Sequence, residues 1–349
     1  ASLNLVAAPT LATAPDQTLV AEWRGRLWGV SRNSIDYLRH SEAGLMYAWP
    51  ALNSILIPQI GSDSRGITAL VARKEALVVG RLNNLQQVTG VDNASFRPVK
   101  ITDNVGIISQ ESAVNYRDEV FFLWYDGVYR LNSEGLKCIS DGKVRSWFST
   151  DDYFNRERFQ YSFAMVDPVR HRYKLFLTNT GDSVENRWVE YDIAEGTWWG
   201  PHKRDDITTL TSAVIVIQSD DTKEPMMGNS TGFLWQEQST ATDDTATGIA
   251  FDVDTKFFDG NTPDVEKVWL QPSVIGKVQT AGTLTLTPKT GYLNTAAGAT
   301  LSHDMTLGRE RLRRLGQGKM VQLNLTHSTA AQPVEIYGIE LPYHELGSR

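Results

Sequence analysis

The sequence has 349 residues, enough for two domains, and its 41% hydrophobic and 10% aromatic residues exclude a mainly disordered chain, which could not offset its ordering entropy. Thirty-four Lys and Arg against 41 Asp and Glu leave a net charge of −7, which argues against a surface given over to nucleic acid. The single cysteine, Cys138, excludes an intramolecular disulfide and a cysteine-rich metal site, and no apolar run approaches the roughly 20 residues of a membrane-spanning helix.

Residues 1–18 carry little charge and are rich in Ala, Pro and Thr, so an extended N-terminal arm is expected there. From residue 19 a strand-and-turn unit recurs. Residues 23–30 read as one strand, followed by a turn at 31–34 and a strand at 35–38. Residues 71–79 lead in the same way to 85–88, and 116–123 lead through Asp126-Gly127 to 128–131. A fourth copy turns at 167–172 and continues through 173–177 and 188–191, and a degenerate fifth includes Met226 and Trp235. Measured from Arg24, Arg73, Arg117, His171 and Met226, the separations are 49, 44, 54 and 55 residues, the spacing of propeller blades. Within the units many strands are apolar on both faces. Val120 and Phe122 oppose Phe121 and Leu123, as expected of a sheet covered on both sides.

Helical signals are few: Ser140 is placed to cap a short helix bearing Val144, Trp147 and Phe148 on one face, and residues 151–158 suggest one more turn. Ser, Thr, Asp and Gly dominate residues 218–248, so a domain boundary is expected near 250. Beyond it the pattern alternates strictly. Leu284 and Leu286 are separated by threonines, and Val321, Leu323 and Leu325 alternate with Gln322, Asn324 and Thr326. The expected fold is therefore all-β, with a β-propeller-like body of five or six blades over residues 19–250 and a C-terminal β-sandwich over 251–349.

Chemistry-bearing motifs are sparse. His40, His171, His202, His303, His327 and His344 form no short metal-ligand pair, and Cys138 has no evident activating base, so neither a metal nor another cofactor is expected. Asp126, Asp192, Asp252 and Asp254 are the carboxylates to weigh for glycosidase chemistry. Asp126 precedes a hairpin glycine, Asp192 follows a blade strand, and Asp252 and Asp254 share one face of a strand, all ordinary places for Asp. Trp198 and Trp199 are expected to pack, because they end a blade strand, and Tyr191 with Trp198 is expected to join one blade to the next. The run Arg309-Glu310-Arg311-Leu312-Arg313-Arg314 reverses the acidic balance locally. Arg309, Arg311, Arg313 and Arg314 fit a protein interface, with a solvated loop and a DNA contact as the competing readings.

Several short stretches resemble the tail nozzle, or tail tubular protein B-like, family of bacteriophage virion proteins from short-tailed phages. They are Arg24-Gly25-Arg26-Leu27-Trp28-Gly29, Ile67-Thr68-Ala69-Leu70, Asp126-Gly127-Val128-Tyr129-Arg130-Leu131 and Val334-Glu335-Ile336-Tyr337-Gly338-Ile339-Glu340. The resemblance implies a non-enzymatic structural component of the tail, a nozzle, hub or adaptor. It implies a homo-oligomeric ring such as a hexamer, assembled in the host cytoplasm with other tail proteins, through which DNA passes without sequence-specific binding. The competing expectation is a carbohydrate-binding or glycan-hydrolysing propeller that holds sugar on Trp198, Trp199 and Trp235.

Overall fold

The structure, a computed structural model, describes residues 17–60, 65–203, 209–237, 243–244, 247–248, 250–290, 298–330 and 332–346. Strands hold 51% of the residues and helices 5%, so the protein is all-β. The chain divides into two compact units, 1–237 and 238–349, which puts the division ahead of residue 250. Residues 1–16 of the expected arm lie outside the described residues, and Gln17 and Thr18 already belong to the first strand.

The first unit consists of consecutive antiparallel meanders. Sheet one holds β1 (Gln17–Trp23), β2 (Arg26–Ser31), β3 (Ser34–His40) and β4 (Ser54–Leu56). Sheet two holds β5 (Ala69–Ala72), β6 (Leu77–Gly80), β7 (Leu85–Thr89) and β8 (Arg97–Thr102). Sheet three holds β9 (Val114–Tyr116), β10 (Glu119–Trp124), β11 (Gly127–Asn132) and β12 (Gly135–Cys138). Sheet four holds β13 (Phe163–Asp167), β14 (Arg172–Thr178), β15 (Glu185–Asp192) and β16 (Thr197–His202). Sheet five holds only β17 (Leu210–Ile217), β18 (Lys223–Asn229) and β19 (Leu234–Gln236) among the described residues.

This corrects the sequence reading at three hairpins. Residues 23–30, 71–79 and 116–123, each read as one strand, contain the turn between the first two strands of a sheet. Arg24 and Gly25 take φ 53° and 66°, and Arg117 and Asp118 take 53° and 68°, the left-handed pairs that two-residue hairpin turns require. The repeat markers Arg24, Arg73, Arg117 and His171 therefore all fall at equivalent turns. The fifth turn lies at residues 218–222, so Met226, in the following strand, was out of phase.

The sheets stack in chain order. Trp28, Val30 and Leu38 of sheet one meet Leu70, Leu77 and Val79 of sheet two. Val71, Val78 and Leu85 from the other side of sheet two meet Val120, Phe122 and Leu131 of sheet three. Phe121 and Leu123 point the opposite way, onto Tyr173, Leu175 and Val189 of sheet four. Phe163, Met165 and Phe176 then face Leu210 and Met227 of sheet five. The double apolar pattern of residues 120–123 thus serves two interfaces, as expected. Each fully buried Phe or Leu contributes roughly 1.5–3 kcal/mol through area removed from water.

The short helix α1 (Arg145–Ser149) and the 3₁₀ turn at Arg156–Tyr161 plug one end of this core with Phe148 and Phe159. Val144 and Trp147 join Phe148 there, but Ser140 is not the cap: Val144 occupies the cap position, and the Ser140 hydroxyl accepts the Val128 N–H at 3.1 Å.

The second unit begins with the hairpin β20 (Asp243–Asp244) and β21 (Thr247–Gly248). One sheet then has the order β22 (Phe251–Asp254), β29 (Val321–His327), β25 (Thr283–Thr290) and β26 (Leu301–Asp304). Facing it, β24 (Ser273–Gly276) lies between β27 (Arg309–Arg311) and β30 (Ile336–Glu340), while β23 (Lys267–Trp269) lies between β28 (Gly316–Gly318) and β31 (Tyr343–Glu345). Leu284, Leu286, Val321, Leu323 and Leu325 fill the space with Trp269 and Val274, so the alternating pattern marks the dry faces of a sandwich.

Candidate functional site

Arg309, Arg311, Arg313 and Arg314 come together along one edge of the second unit. Among the described residues β27 pairs with β24 alone, which leaves its other edge open there. Arg309 pairs with Glu340 in the open, and Arg311, Arg313 and Arg314 are exposed. Glu310 turns the other way, accepting the Asp304 N–H at 2.7 Å and meeting His303 Nδ1 at 3.1 Å. Leu312 within the run and Leu315 just after it are core residues, so neither is presented at the surface. What the segment presents is a cationic strip anchored by two buried leucines, and charged side chains on an open edge also discourage unwanted strand pairing.

The carboxylates weighed for catalysis are dispersed. Asp126 accepts the Tyr129 hydroxyl at 2.9 Å and an Arg145 N–H at 2.6 Å, and burial together with that carboxylate holds the Tyr129 phenol well above its usual range. Asp192 accepts the Ala194 and Glu195 N–H groups of its own turn at 3.0 Å. Asp252 accepts from Asn324 at 2.7 Å, and Asp254 meets Lys289 at 3.0 Å. Among the described residues no three His, Cys, Asp or Glu side chains converge on a metal-sized site. Cys138 Sγ lies 3.3 Å from the Ser140 hydroxyl.

The histidines are structural in their contacts. His40 packs on Trp28 with ring centroids 4.5 Å apart, and burial lowers its pKa. His171 takes a 2.6 Å hydrogen bond with the Tyr116 hydroxyl, and His327 lies between the carbonyls of Thr283 and Gln332. His344 is exposed.

The tryptophans divide by face. Trp198 packs on Tyr191 with tilted rings 5.0 Å apart and donates to the Ile139 carbonyl at 3.1 Å, joining sheets three and four as expected. Trp199 points the other way on the same strand and is 50% exposed beneath the Arg172 guanidinium, so it does not pack as expected. Trp235 leans on the core between sheets four and five.

One cluster escaped the sequence reading. Lys174, in the central strand β14, is fully buried, yet it pairs with Glu190 at 3.2 Å on the neighbouring strand and with Glu237 beyond β19. Arg172 meets Glu190 at 3.1 Å and Arg170 meets Glu237 at 2.7 Å. Burial raises the Glu190 pKa, but Lys174, His202 and Arg172 outweigh it and hold the carboxyl below its usual range. His202 is pushed down by burial in spite of the nearby Glu190. Two carboxylates around one ammonium can act in acid-base chemistry. Here the network ties the last strand of sheet five to the middle of sheet four. The signal was a lysine inside the otherwise apolar run 173–177, which only tertiary contacts can pair. A simpler clasp links neighbouring turns: Arg24 to Glu75 at 2.9 Å and Arg73 to Asp118 at 3.1 Å.

In the second unit a cavity of about 270 Å³ opens between the loop at 256–261 and Trp269, Leu341 and Tyr343. Gly260 has φ +60°, and a Cβ there would stand 2.6 Å from the Tyr343 ring, so only glycine lets the loop lie on that tyrosine.

No family model and no curated protein matches the sequence. Solved structures similar to parts of the chain include the extracellular domain of the one component system BT4673 from B. thetaiotaomicron, at 11% identity and TM-score 0.37, over 63% of this chain and 26% of that one. The N-terminal domain of Nup159 is similar at 10% identity and TM-score 0.39, over 64% of this chain and 60% of that one. An exo-beta-1,3-galactanase from Phanerochaete chrysosporium is similar at 9% identity and TM-score 0.33, over 93% of this chain and 95% of that one. The chain thus spans about a quarter of the first of these proteins and 60% of the second, and at such scores none of their activities carries over.

Proposed function

We propose that this protein is a non-enzymatic structural subunit of a bacteriophage tail, a nozzle, hub or adaptor, whose blade-like sheets form a propeller and whose copies form a ring around the DNA channel. The observation that carries this reading is how the chemistry-bearing side chains are spent: Asp126 and Asp192 each serve a turn, Asp252 and Asp254 of β22 each pair with a side chain of another strand, and the densest charge cluster clamps one sheet to the next. The motif resemblance of residues 24–29, 126–131 and 334–340 points the same way. In this proposal Arg311, Arg313 and Arg314 meet an acidic neighbour, which suits a chain whose net charge is −7.

Reversing those three arginines to Glu tests it. The variant should keep its melting temperature and fail to enter virions. Incorporation at normal copy number removes the strip from the assembly contacts, and absence of the wild-type chain from purified virions overturns the tail assignment. A second reading, glycan recognition, is favoured by the exposed Trp199 ring beneath Arg172 and by the aromatic-lined cavity at Trp269 and Tyr343. Binding or hydrolysis in a glycan screen, lost on Trp199→Ala, would support it.

A further inference from the structure

Among the described residues two lysines are fully buried, and they are partnered in different ways. Lys174 meets the carboxylates of Glu190 and Glu237. Lys267 stands two residues before the core residue Trp269, so its side chain leaves β23 on the dry face of the sandwich. No carboxylate among the described residues pairs with it. Its ammonium donates instead to three main-chain carbonyls, those of Thr262, of Val265 at 2.9 Å and of Lys319 at 3.3 Å. An ammonium has three N–H donors and no acceptor, so these carbonyls use all of them. Nζ also lies over the Tyr343 ring, 6.0 Å from its centroid, where the face of an aromatic ring attracts a cation.

The carbonyls are delivered by separate segments. The turn that carries two of them is bonded from Thr262 N–H to the Asp259 carbonyl and from Val265 N–H to the Thr262 carbonyl, both at 3.2 Å, and the Thr262 hydroxyl donates to Glu345 at 2.6 Å. On the other side, the pairing of Lys267 with Gly318 of β28 brings the next carbonyl, that of Lys319, within reach. A charge taken out of water is costly unless other groups replace its hydration shell, and main-chain carbonyls can do so for a monovalent cation. Carbonyl oxygens on several sides of one buried point, with an aromatic face beside them, are the parts of such a site.

We propose that the carbonyls of Thr262, Val265 and Lys319 form a cation site of the primary-ammonium class, and that Lys267 is its tethered ion. The charge, rather than the hydrocarbon stem, then holds the 262–265 turn against β28. That turn continues directly from the 256–261 loop that walls the cavity, and the Tyr343 hydroxyl donates to the Gly260 carbonyl of the same wall at 2.9 Å, so the ion braces the cavity as well. The site holds whether or not the chain forms a ring. Cut free of its tether, it should accept a primary ammonium ion from solution.

Chemical rescue of the full chain tests it. Lys267→Ala should lower the melting temperature and speed amide exchange of residues 262–266 at least about tenfold, while exchange in residues 119–131 of the first unit stays as in wild type. n-Propylammonium, whose heavy atoms match those the truncation removes, should reverse both effects and saturate as a bound ligand does; n-propanol, of the same shape without the charge, should not. Lys267→Met keeps a stem and lacks the ammonium, so it should exchange as fast over 262–266 and gain nothing from propylammonium. Equal rescue by propanol would make Lys267 a space-filling residue and overturn the site, as would a Lys267→Ala protein that propylammonium leaves unchanged. If Lys267→Ala does not fold, Lys267→Met decides: fast exchange confined to the turn supports the site, and melting and exchange like wild type overturn it.

Discussion

Sheets three and five contain the same kind of strand and meet different fates. In β10, Val120 and Phe122 pack on sheet two while Phe121 and Leu123 pack on sheet four, and all four are fully buried. In β17 Ala213 and Ile215 pack on sheet four, while Val214 and Val216 stay 53% and 38% exposed. A doubly apolar strand therefore records how many neighbours a sheet is built for. Where the described residues supply only one neighbour, the leftover apolar side chains stay exposed.

The largest expected difference is in stability. Phe122→Ala should cost about 3–5 kcal/mol in denaturant unfolding, as large-to-small changes in a closed core do. Leu234→Ala should change the monomer's stability by no more than about 0.5 kcal/mol. Equal losses at the two sites would erase the distinction between the sheets. Next is the buried clamp: Lys174→Met leaves Glu190 with Arg172 as its one cationic partner in the sheet-four interface and should cost up to about 3–5 kcal/mol. Replacing Lys174 and Glu190 together by apolar residues should recover much of that loss, and failure to recover would show that the pair does more than balance charge.

Acid should loosen the same interface through His202 and Glu190, and the packing around Trp28 in sheet one through His40. His202, His40 and Glu190 all have folded pKa values below their unfolded ones, so the stability they contribute is complete above the unfolded pKa and is lost as pH falls. The melting temperature should begin to fall below about pH 6.5 through the histidines and fall further below about 4.3 through Glu190. A curve flat from pH 7 to 5 contradicts the histidine contribution. The smallest effect belongs to exposed pairs: Arg309→Ala removes a contact to Glu340 between two half-exposed side chains and should cost about 0–1 kcal/mol.

Much of this comparison was legible in the sequence. The repeat spacing located the sheets, the doubled apolar runs identified the stacked strands, and strict alternation identified the sandwich. The first hairpins of the first three repeats were not legible, whereas the longer turn at 167–172 was: Arg24-Gly25 and Arg117-Asp118 are short polar interruptions whose left-handed backbone shows only once the strands pair. Lys174 was missed for a related reason: its carboxylates lie 16 and 63 residues away along the chain, and no local pattern joins them. The arginine strip was placed by its residues, but the inward turn of Leu312 and Leu315 followed from the sandwich core rather than from the run itself.

The central proposal is a ring of identical subunits built for a tail, and the mass of the native assembly tests it most directly. The account predicts a single closed species at an integral multiple of the 39.0 kDa chain, retained when glycans are added. A stable 39.0 kDa monomer that binds or cleaves a glycan would contradict it.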